Sequence, residues 1–398
     1  MTGSILTLNA GSSSLKFALF DGATLTAAVR GEVEGLGAAP HLLARDAGGA
    51  VLAEQRWPAG QEDPFATVLG ALLAFADAHL GSGGLAAVGH RVVHGGADHV
   101  APECVTPGLL AALDGLTPLD PLHMLHNIAP MRAVAAARPG LPQVACFDTA
   151  FHHTLPPVAR MFALPRAVAD AGVRRYGFHG LSYEYIASCL PAVSPRLASG
   201  RVIVAHLGAG ASLCALQAGR SIETTTGFSA LDGLVMATRC GSLDPGVILY
   251  LGQQGHGFTD IEDMLYRRSG LLGVSGLSSD VRVLLASSDP HAREALELFS
   301  YRIAAQAGAL ASALGGLDGL VFTAGVGEHA APVRAAVCAR LAWLGVRLDA
   351  NANAGGAGLV SLPDSPVEVR VIPTDEEAMI ARHTRAAVPA VPGQERAA

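Results

Sequence analysis

The residues at the start of this chain that are best suited to chemistry would hold an anion. Lys16 is the only lysine among the 27 lysine and arginine residues, and it follows a turn of one glycine and three serines, Gly11 to Ser14. An ammonium is a compact point charge that a planar guanidinium does not reproduce. The amides and hydroxyls of such a turn can bind a phosphate, although turns of this kind are more often only turns.

A second candidate site combines Arg91 with Asp148. Arg91 lies in an otherwise apolar strand pattern, where a buried guanidinium needs a partner anion. Asp148 follows the strand pattern VACF, at the strand end where α/β sheets present ligands. Two interpretations are open, because Asp148 can be a structural ion-pair partner and Arg91 can also bind an anionic ligand.

Three later segments add polar groups. His179 lies in RRYGFHG, and Arg239 precedes a glycine in TRCGSLDPG. A single histidine of this kind is more often merely packed, whereas an arginine before a glycine can reach into a site. The loop SGLSSDVR, with Asp280 and Arg282, can cap a helix or contact a ribose and base.

The elements that would position these groups follow a repeated pattern. A strand, a Gly/Ser turn and a second strand occupy residues 5–20, and a strand, a glycine turn and a return strand occupy residues 201–217. The repeat predicts two similarly built domains. A third glycine-rich turn, TAGVGEHA, is predicted to follow a strand at 319–322 and to open a helix over 332–344.

Strand and helix patterns alternate along the chain, which predicts an α/β fold. Helices are expected near 65–80, 108–116 and 128–137, and strands near 86–93 and 143–147. The predicted division is an N-terminal domain of residues 1–150 with a C-terminal helix at about 376–387, a nucleotide-binding domain of residues 151–375, and a disordered tail at 388–398. A shared hinge and cleft are expected, because no low-complexity linker separates the halves.

The composition argues against several classes of protein. A net charge of −7 without a basic run argues against nucleic-acid and anionic-membrane partners. The first residues lack a secretion signal and polar residues interrupt the long apolar stretches, so a cytoplasmic location is expected. The six cysteines form no C-x-x-C pair, which argues against a disulfide framework and a zinc site.

Nine segments, in order and over nearly the whole chain, resemble the acetate kinase family. They are LNAGSSSLKF, HRVVHGG, FDTAFHHTLP, RRYGFHGLS, HLGAGAS, TTTGFSALDGLVMATRCG, SGLLGVSGLSSDVR, FTAGVGEH and IPTDEEAMIA. The resemblance implies an α/β fold of two ribonuclease-H-like domains around a nucleotide cleft, as in actin-like ATPases, and a homodimer. It also implies reversible phosphorylation of acetate by ATP to an acyl phosphate and ADP, with Mg²⁺ or Mn²⁺.

The same resemblance implies roles for individual residues. Asp148, His179, Arg239 and Arg91 would be catalytic. The positions that match the family's substrate contacts are Arg91, Val93, Leu122, Phe178 and Ala230. Those that match its ATP contacts are Lys16, His206, Leu207, Gly208, Ala209, Gly210, Asp280, Val281, Arg282, Gly325, Val326, Gly327, Glu328 and His329. Those that match its metal ligands are Asn9 and Glu376.

The charge of the substrate determines the expected mechanism. A short carboxylic acid has a pKa of about 4 and is ionised at pH 7, so no general base is required. The barrier is repulsion between this anion and a polyphosphate, which two arginines, a lysine and a metal ion would neutralise. Asp148 is therefore expected to orient Arg91, Arg239 or a metal-bound water, and not to accept a proton.

Several positions depart from the family pattern, among them Met124-Leu125 after His123, where Asn-Pro is typical. Ala209 replaces an asparagine of the glycine turn, which removes one side-chain contact to phosphate. Ser242 stands at an aspartate position and Tyr183 at a histidine position. Ala230 replaces a proline that helps to wall the alkyl pocket.

Two other functions compete with the kinase. Gly325-x-Gly327-x-x-Ala330 follows a strand pattern and Asp349 lies near the expected distance beyond it, as in a dinucleotide-dependent oxidoreductase. That interpretation leaves the lysine turn unexplained. A non-catalytic ATP-binding protein of the same fold is the other candidate, but separate groups for a carboxylate favour an enzyme.

The chain is predicted to use propionate comparatively well, with propionate kinase as the alternative main activity. Ala230 should enlarge the alkyl pocket, and one methylene in such a pocket is worth about 1 to 3 kcal/mol. The ratio of kcat/KM for acetate and propionate measures this effect. A strong preference for acetate with an unchanged pocket shape would contradict it.

Overall fold

A computed structural model describes residues 3–11, 14–36, 38–60, 64–80 and 83–388. Ser12, Ser13, the side chain of Leu122 and the predicted tail from residue 389 lie outside the described part. The strands are β1 Ser4–Ala10, β2 Ser14–Asp21, β3 Ala27–Glu34, β4 His41–Asp46, β5 Val51–Arg56, β6 Leu85–Val92, β7 Glu103–Cys104, β8 Gln143–Phe147, β9 Arg201–Leu207, β10 Ala211–Gln217, β11 Arg220–Thr224, β12 Gly319–Thr323 and β13 Glu368–Val371. The helices are α1 Pro64–Ala78, α2 Pro107–Leu116, α3 Pro121–Ala137, α4 Arg166–Asp170, α5 Gly180–Val193, α6 Pro195–Ala198, α7 Pro245–Gln253, α8 Phe258–Arg267, α9 Gly270–Ser275, α10 Val281–Ala286, α11 Pro290–Leu314, α12 Ala324–His329, α13 Ala331–Arg340, α14 Ala350–Ala354 and α15 Glu376–Ala387.

The chain divides into two compact units, Met1–Ala150 with Asp375–Ala398, and Phe151–Thr374. The first unit contains an eight-stranded sheet of order β5-β4-β3-β2-β1-β6-β8-β7, and the second a five-stranded sheet of order β11-β10-β9-β12-β13. In each sheet, three antiparallel strands continue into two parallel ones, β3-β2-β1-β6-β8 and β11-β10-β9-β12-β13. The predicted α/β fold with a repeated strand-turn-strand unit is confirmed.

In the first unit, the sheet carries the candidate residues at neighbouring strand ends. The β1–β2 hairpin places Asn9 opposite Lys16, so both side chains lie on one face. The parallel strands β6 and β8 end at the same edge, with Arg91 opposite Cys146. Helix α15 packs closely on β6 at Gly89. A Cβ at this position would lie 2.2 Å from Thr384 Oγ1, so a larger residue would not fit.

In the second unit, a long helix supports the sheet. Asp289 caps the N-terminus of helix α11, because its side chain accepts a hydrogen bond from His291 N at 2.8 Å. Gly315, in a left-handed conformation, caps the C-terminus. Phe299 and Ile303 of α11 are buried in the core with residues of β9, β10 and β12. Within the described ranges, no helix is both long and apolar enough to cross a bilayer.

The third glycine-rich segment differs from its prediction. The sequence predicts a turn that opens a helix over 332–344, but Ala324–His329 itself forms the short helix α12 and the next helix, α13, ends at Arg340. Packing explains the difference, because α12 lies against β9 and β12. These contacts stabilise a helix in a segment whose glycines have low helix propensity.

Candidate active site

The charged core of the first unit is an ion pair between Arg91 and Asp148. Arg91 Nε and Nη2 donate to Asp148 Oδ2 at 2.9 and 2.5 Å, and Nη1 donates to Asn9 Oδ1 at 3.3 Å. The Asp148 side chain is fully buried, whereas 16% of the Arg91 side chain remains exposed. Burial lowers the pKa of Arg91, but the carboxylates of Asp148 and Glu376 outweigh burial and raise it above its usual value. Arg91 is therefore a fixed, permanent cation.

Asn9 joins this pair to the first turn of α15. Its Nδ2 donates to Glu376 Oε2 at 2.9 Å and to Glu377 Oε1 at 3.1 Å. Burial raises the pKa of Glu376, although the positive charge of Arg91 opposes this shift. Burial also raises the pKa of Glu377, and the negative charge of Glu376 raises it further. Glu377 was not among the predicted site residues, although the run Asp-Glu-Glu at 375–377 is a visible acidic helix start.

The oxygen donors here fit a hard divalent cation. Asp148 Oδ1 is buried without a hydrogen-bond partner among the described residues, and the Glu376 carboxylate and Asn9 carbonyl oxygen lie in the same network. The described part of the chain contains no group of three or more His, Cys, Asp or Glu side chains arranged to hold a metal. Mg²⁺ usually takes one or two carboxylates and completes its shell with water and phosphates. Asn9 and Glu376 fit that pattern.

Lys16 lines a pocket of the first unit, with a volume of about 540 Å³, together with Glu32 and Glu377. Burial raises the pKa of Glu32, and the ammonium of Lys16 opposes this shift. Of the predicted alkyl-pocket residues in this unit, Val93 is buried and its N–H donates to Asn127 Oδ1 at 2.8 Å. Lys16 thus lies among acidic side chains, on the strand residue opposite Asn9.

The second unit has a pocket of about 540 Å³ at one edge of its sheet. Strands β9 and β12 are parallel neighbours with Thr323 opposite His206, so the residues that follow each strand emerge at the same edge. Eight predicted nucleotide contacts line this pocket: Gly208, Ala209, Asp280, Val281, Arg282, Gly325, Val326 and His329. Three segments remote in sequence therefore share one cavity.

Six predicted nucleotide contacts do not line this pocket, and one of them, Lys16, belongs to the first unit. The other five lie in the second unit. They are His206, Leu207, Gly210, Gly327 and Glu328. The Leu207 side chain lies in the hydrophobic core, and Glu328 Oε1 accepts a hydrogen bond from Thr374 N at 3.2 Å. Six lining residues were missed, and most are small or apolar: Ala237, Leu271, Ser279, Leu285, Ala330 and Pro332.

The Asp280 loop is held by its own side chain. Asp280 Oδ1 caps α10 by accepting from Arg282 N at 2.8 Å, and Arg282 Nη2 donates to Asp280 Oδ2 at 2.6 Å. The Arg282 side chain and amide lower the pKa of Asp280. With 90% of its side chain exposed, Arg282 stays available to a ligand at the mouth of the pocket.

His179 and Arg239 lie on two loops of the second unit. His179 has a left-handed backbone, its Nδ1 is 2.7 Å from Ser212 Oγ, and its ring stacks on His206 at 4.2 Å. Arg239 Nη1 donates to the carbonyl of Ala230 at 3.1 Å. Phe178 is buried beside His179, and Ala230 is buried as well. A cation and an imidazole are thus both fixed by neighbouring groups of this unit.

Comparison with known proteins identifies the family. The sequence model described as the acetokinase family matches residues 4–382. The chain belongs to the acetokinase family. It is 55% identical over 393 residues to the acetate kinase of Rhodopseudomonas palustris strain CGA009, covering 96% of this chain and 98% of the relative, and 50% identical over 385 residues to that of Nitrobacter hamburgensis, covering 96% and 95%.

Solved structures of the family share the fold. A propionate kinase from Francisella tularensis superposes with a TM-score of 0.90 at 35% identity, covering 97% of this chain and all of that one. An acetate kinase from Porphyromonas gingivalis has a TM-score of 0.86 at 36% identity, covering 96% and 99%. The two-sheet α/β architecture is accordingly the two-domain fold of actin-like ATPases, as predicted.

Ala209→Asn, which introduces the asparagine that the sequence resemblance implies, should strengthen nucleotide binding. Ala209 is exposed at the pocket, and one added hydrogen bond to a phosphate contributes about 1 kcal/mol. We expect KM for ATP to fall about fivefold, with kcat nearly unchanged. Ala167→Asn, at an exposed position of α4, is the matched control. An unchanged or raised KM for ATP in Ala209→Asn would contradict a phosphate contact at this turn.

Proposed function

We propose that the chain transfers the γ-phosphoryl group of ATP reversibly to acetate, which yields acetyl phosphate and ADP. Family membership and relatives named acetate kinase at 50–55% identity support this reaction. The observation that carries it is the pocket of the second unit, where Gly208, the Asp280–Arg282 loop and Gly325 line one cavity. Its volume of about 540 Å³ lies in the range of small-molecule sites.

The reaction needs a positioned nucleophile and no general base. A carboxylate oxygen of acetate attacks the γ-phosphorus, the new P–O bond forms, and the bond from γ-phosphorus to the β–γ bridging oxygen breaks to release ADP. Arg91 binds the acetate carboxylate with its exposed face and offsets the repulsion from the triphosphate. In the reverse direction the same cation holds the acyl phosphate.

Asp148 orients Arg91 and does not act as a general base. Both of its contacts from Arg91 fall on Oδ2, which fixes the guanidinium plane. A planar cation fixed in this way can meet a carboxylate in one orientation, and this supplies the positional part of catalysis. From the sequence resemblance, Val93, Leu122, Phe178 and Ala230 are the residues assigned to the alkyl group of the substrate.

Arg239 and His179 stabilise the phosphoryl group as it moves. Charge spreads over its equatorial oxygens in the transition state, so fixed donors and cations lower the barrier. The hydrogen bond from Arg239 to the Ala230 carbonyl and the contact of His179 with Ser212 limit the motion of both side chains. Lys16 binds the nucleotide phosphates as a point charge.

Asn9 and Glu376 would hold Mg²⁺, or Mn²⁺ in its place, because they supply hard oxygen donors close to Asp148. The bound ion would neutralise charge on the phosphates. The hydrogen bond from Arg91 to Asn9 couples the geometry of these donors to the acetate-binding cation.

The rival functions find less support. Gly325 and Gly327 lie inside the short helix α12, whereas a dinucleotide fingerprint needs its glycines in a turn before a longer helix. Propionate kinase remains a second candidate, because small, buried Ala230 and the similarity to the Francisella propionate kinase both favour a roomier alkyl pocket. A cytoplasmic location and the lack of nucleic-acid and membrane partners stay predictions from composition.

A homodimer would cover an apolar surface of the second unit. Every residue of α7 is exposed or half-buried, including Ile248, Leu249 and Tyr250, and Phe258 at the start of α8 is 83% exposed. Apolar patches of this kind mark interaction surfaces. A second copy of the chain is the proposed occupant, in keeping with the homodimer that the sequence resemblance implies.

The enzyme should form acetyl hydroxamate from ATP, acetate, Mg²⁺ and hydroxylamine.

Asp148→Asn should lower kcat/KM for acetate on the order of 100-fold, because the plane of the Arg91 guanidinium is no longer fixed. Asp318→Asn is the control, since Asp318 forms a comparable pair with Arg201 at 2.8 Å outside the site. Full activity of Asp148→Asn would refute the positioning role, and no acyl phosphate with any short carboxylate would refute the function.

Leu249→Glu should convert the dimer to a monomer in sedimentation velocity. A buried charge without a partner at an apolar interface is strongly unfavourable. Leu164→Glu, at a leucine that is 50% exposed and outside the patch, should stay dimeric. A monomeric parent protein, or a dimeric Leu249→Glu, would contradict this interface.

A further inference from the structure

A chain of three side chains lies behind His179 in the second unit. The Tyr183 hydroxyl, on α5, is 2.5 Å from Ser212 Oγ on β10, and Ser212 Oγ is 2.7 Å from His179 Nδ1. Tyr183 and Ser212 are both fully buried. The reaction described above uses His179 but neither of the other two groups.

The direction of these hydrogen bonds follows from the Tyr183 hydroxyl. Burial raises the pKa of Tyr183 well above its usual value, so the phenol keeps its proton. Among the described residues, Ser212 Oγ is the one hydrogen-bond partner of this hydroxyl. A buried O–H that does not donate loses the free energy of its hydrogen bond, so Tyr183 donates to Ser212 Oγ.

The serine then determines the state of the histidine. Ser212 Oγ accepts from Tyr183, so its own proton is directed to its other neighbour, His179 Nδ1. Nδ1 must accept, which requires a ring that carries its proton on Nε2. With an Nδ1 proton, Ser212 would face two donors and its own proton would have no acceptor within this chain of groups.

The Nε2 edge of the ring faces the glycine turn of the nucleotide pocket. A Cβ at Gly210 would lie 3.1 Å from His179 Nε2. Gly208 and Ala209 of this turn line the pocket. Stacking on His206 and the left-handed backbone of His179 hold the ring in this orientation. A proton on Nε2 is therefore presented on the side where phosphates would bind.

We propose that Tyr183 is a positioning residue which, through Ser212, fixes His179 as the neutral Nε2–H tautomer and so makes it a hydrogen-bond donor to the transferred phosphoryl group. Its catalytic part rests on the proposed kinase function. The sequence resemblance implies a histidine at the position of Tyr183. An imidazole there can donate or accept, whereas a protonated phenol whose hydrogen-bond partner among the described residues is Ser212 donates in one direction.

Ring-nitrogen NMR of histidine-labelled protein tests the tautomer without any turnover. In spectra of the full chain, the His179 signals, assigned by their loss in His179→Gln, should show a protonated Nε2 and an unprotonated Nδ1. Tyr183→Phe and Ser212→Ala should each abolish this fixed pattern. Tyr176→Phe, which removes a tyrosine hydroxyl bonded to Gly172 O at 2.8 Å, should leave it intact.

Kinetics provide the second readout. Tyr183→Phe should lower kcat about tenfold, the effect of one lost transition-state hydrogen bond, with KM for ATP nearly unchanged. The double variant Tyr183→Phe with Ser212→Ala should lose no more than either single variant, because both act along one path. Circular dichroism confirms folding of each variant.

The outcomes are separable. An Nδ1–H tautomer in the parent protein, or an unchanged His179 pattern in both Tyr183→Phe and Ser212→Ala, overturns the proposal whatever the enzyme does. A fixed Nε2–H tautomer with no acyl phosphate formed would instead refute the kinase function alone. If Tyr183→Phe does not fold, the tautomer of the parent protein and the Ser212→Ala spectrum still decide.

Discussion

Neutralising anions in a chain of negative net charge is the constraint on which this structure depends. The chain has a net charge of −7 and one lysine, so each positive group near a substrate must be local and oriented. The first unit meets this need with the Arg91–Asp148 pair, in which a fully buried carboxylate fixes a guanidinium that stays partly exposed. A buried ion pair contributes little net stability. Its value lies in the fixed orientation of a cation.

The repeated sheet explains how the remaining groups come together. In both units, the candidate ligand groups lie at the ends of strands that are parallel neighbours, so they share one edge of the sheet. Arg91 is near the end of β6 and Asp148 follows β8, whereas Gly208 follows β9 and Gly325 follows β12. Strand ends of this kind are the usual ligand sites of α/β sheets. One topology would therefore supply the proposed site for a small anion in the first unit and the proposed nucleotide pocket in the second.

The sequence predicted those parts of the site that have a local signal. Glycine turns, a lone lysine and an arginine in an apolar strand are visible in a short window, and Arg91 with Asp148 could be paired by charge alone. The apolar lining of the nucleotide pocket, including Leu271 and Leu285, has no such signal, because any core contains similar residues. A turn was predicted at Ala324–His329 because glycine has low helix propensity. The segment instead forms α12, which is supported by its contacts with β9 and β12.

The position of α15 matters for synthesis of the protein. This helix belongs to the first unit, yet it is encoded more than two hundred residues after that unit's other elements. Glu376 and Glu377 at its start complete the network around Asn9. While the ribosome is still translating the second unit, the nascent first unit lacks this helix and exposes the surface around Gly89. The hydrogen-bond network of Asn9 with Glu376 and Glu377 is accordingly completed last, after nearly the whole polypeptide has been made.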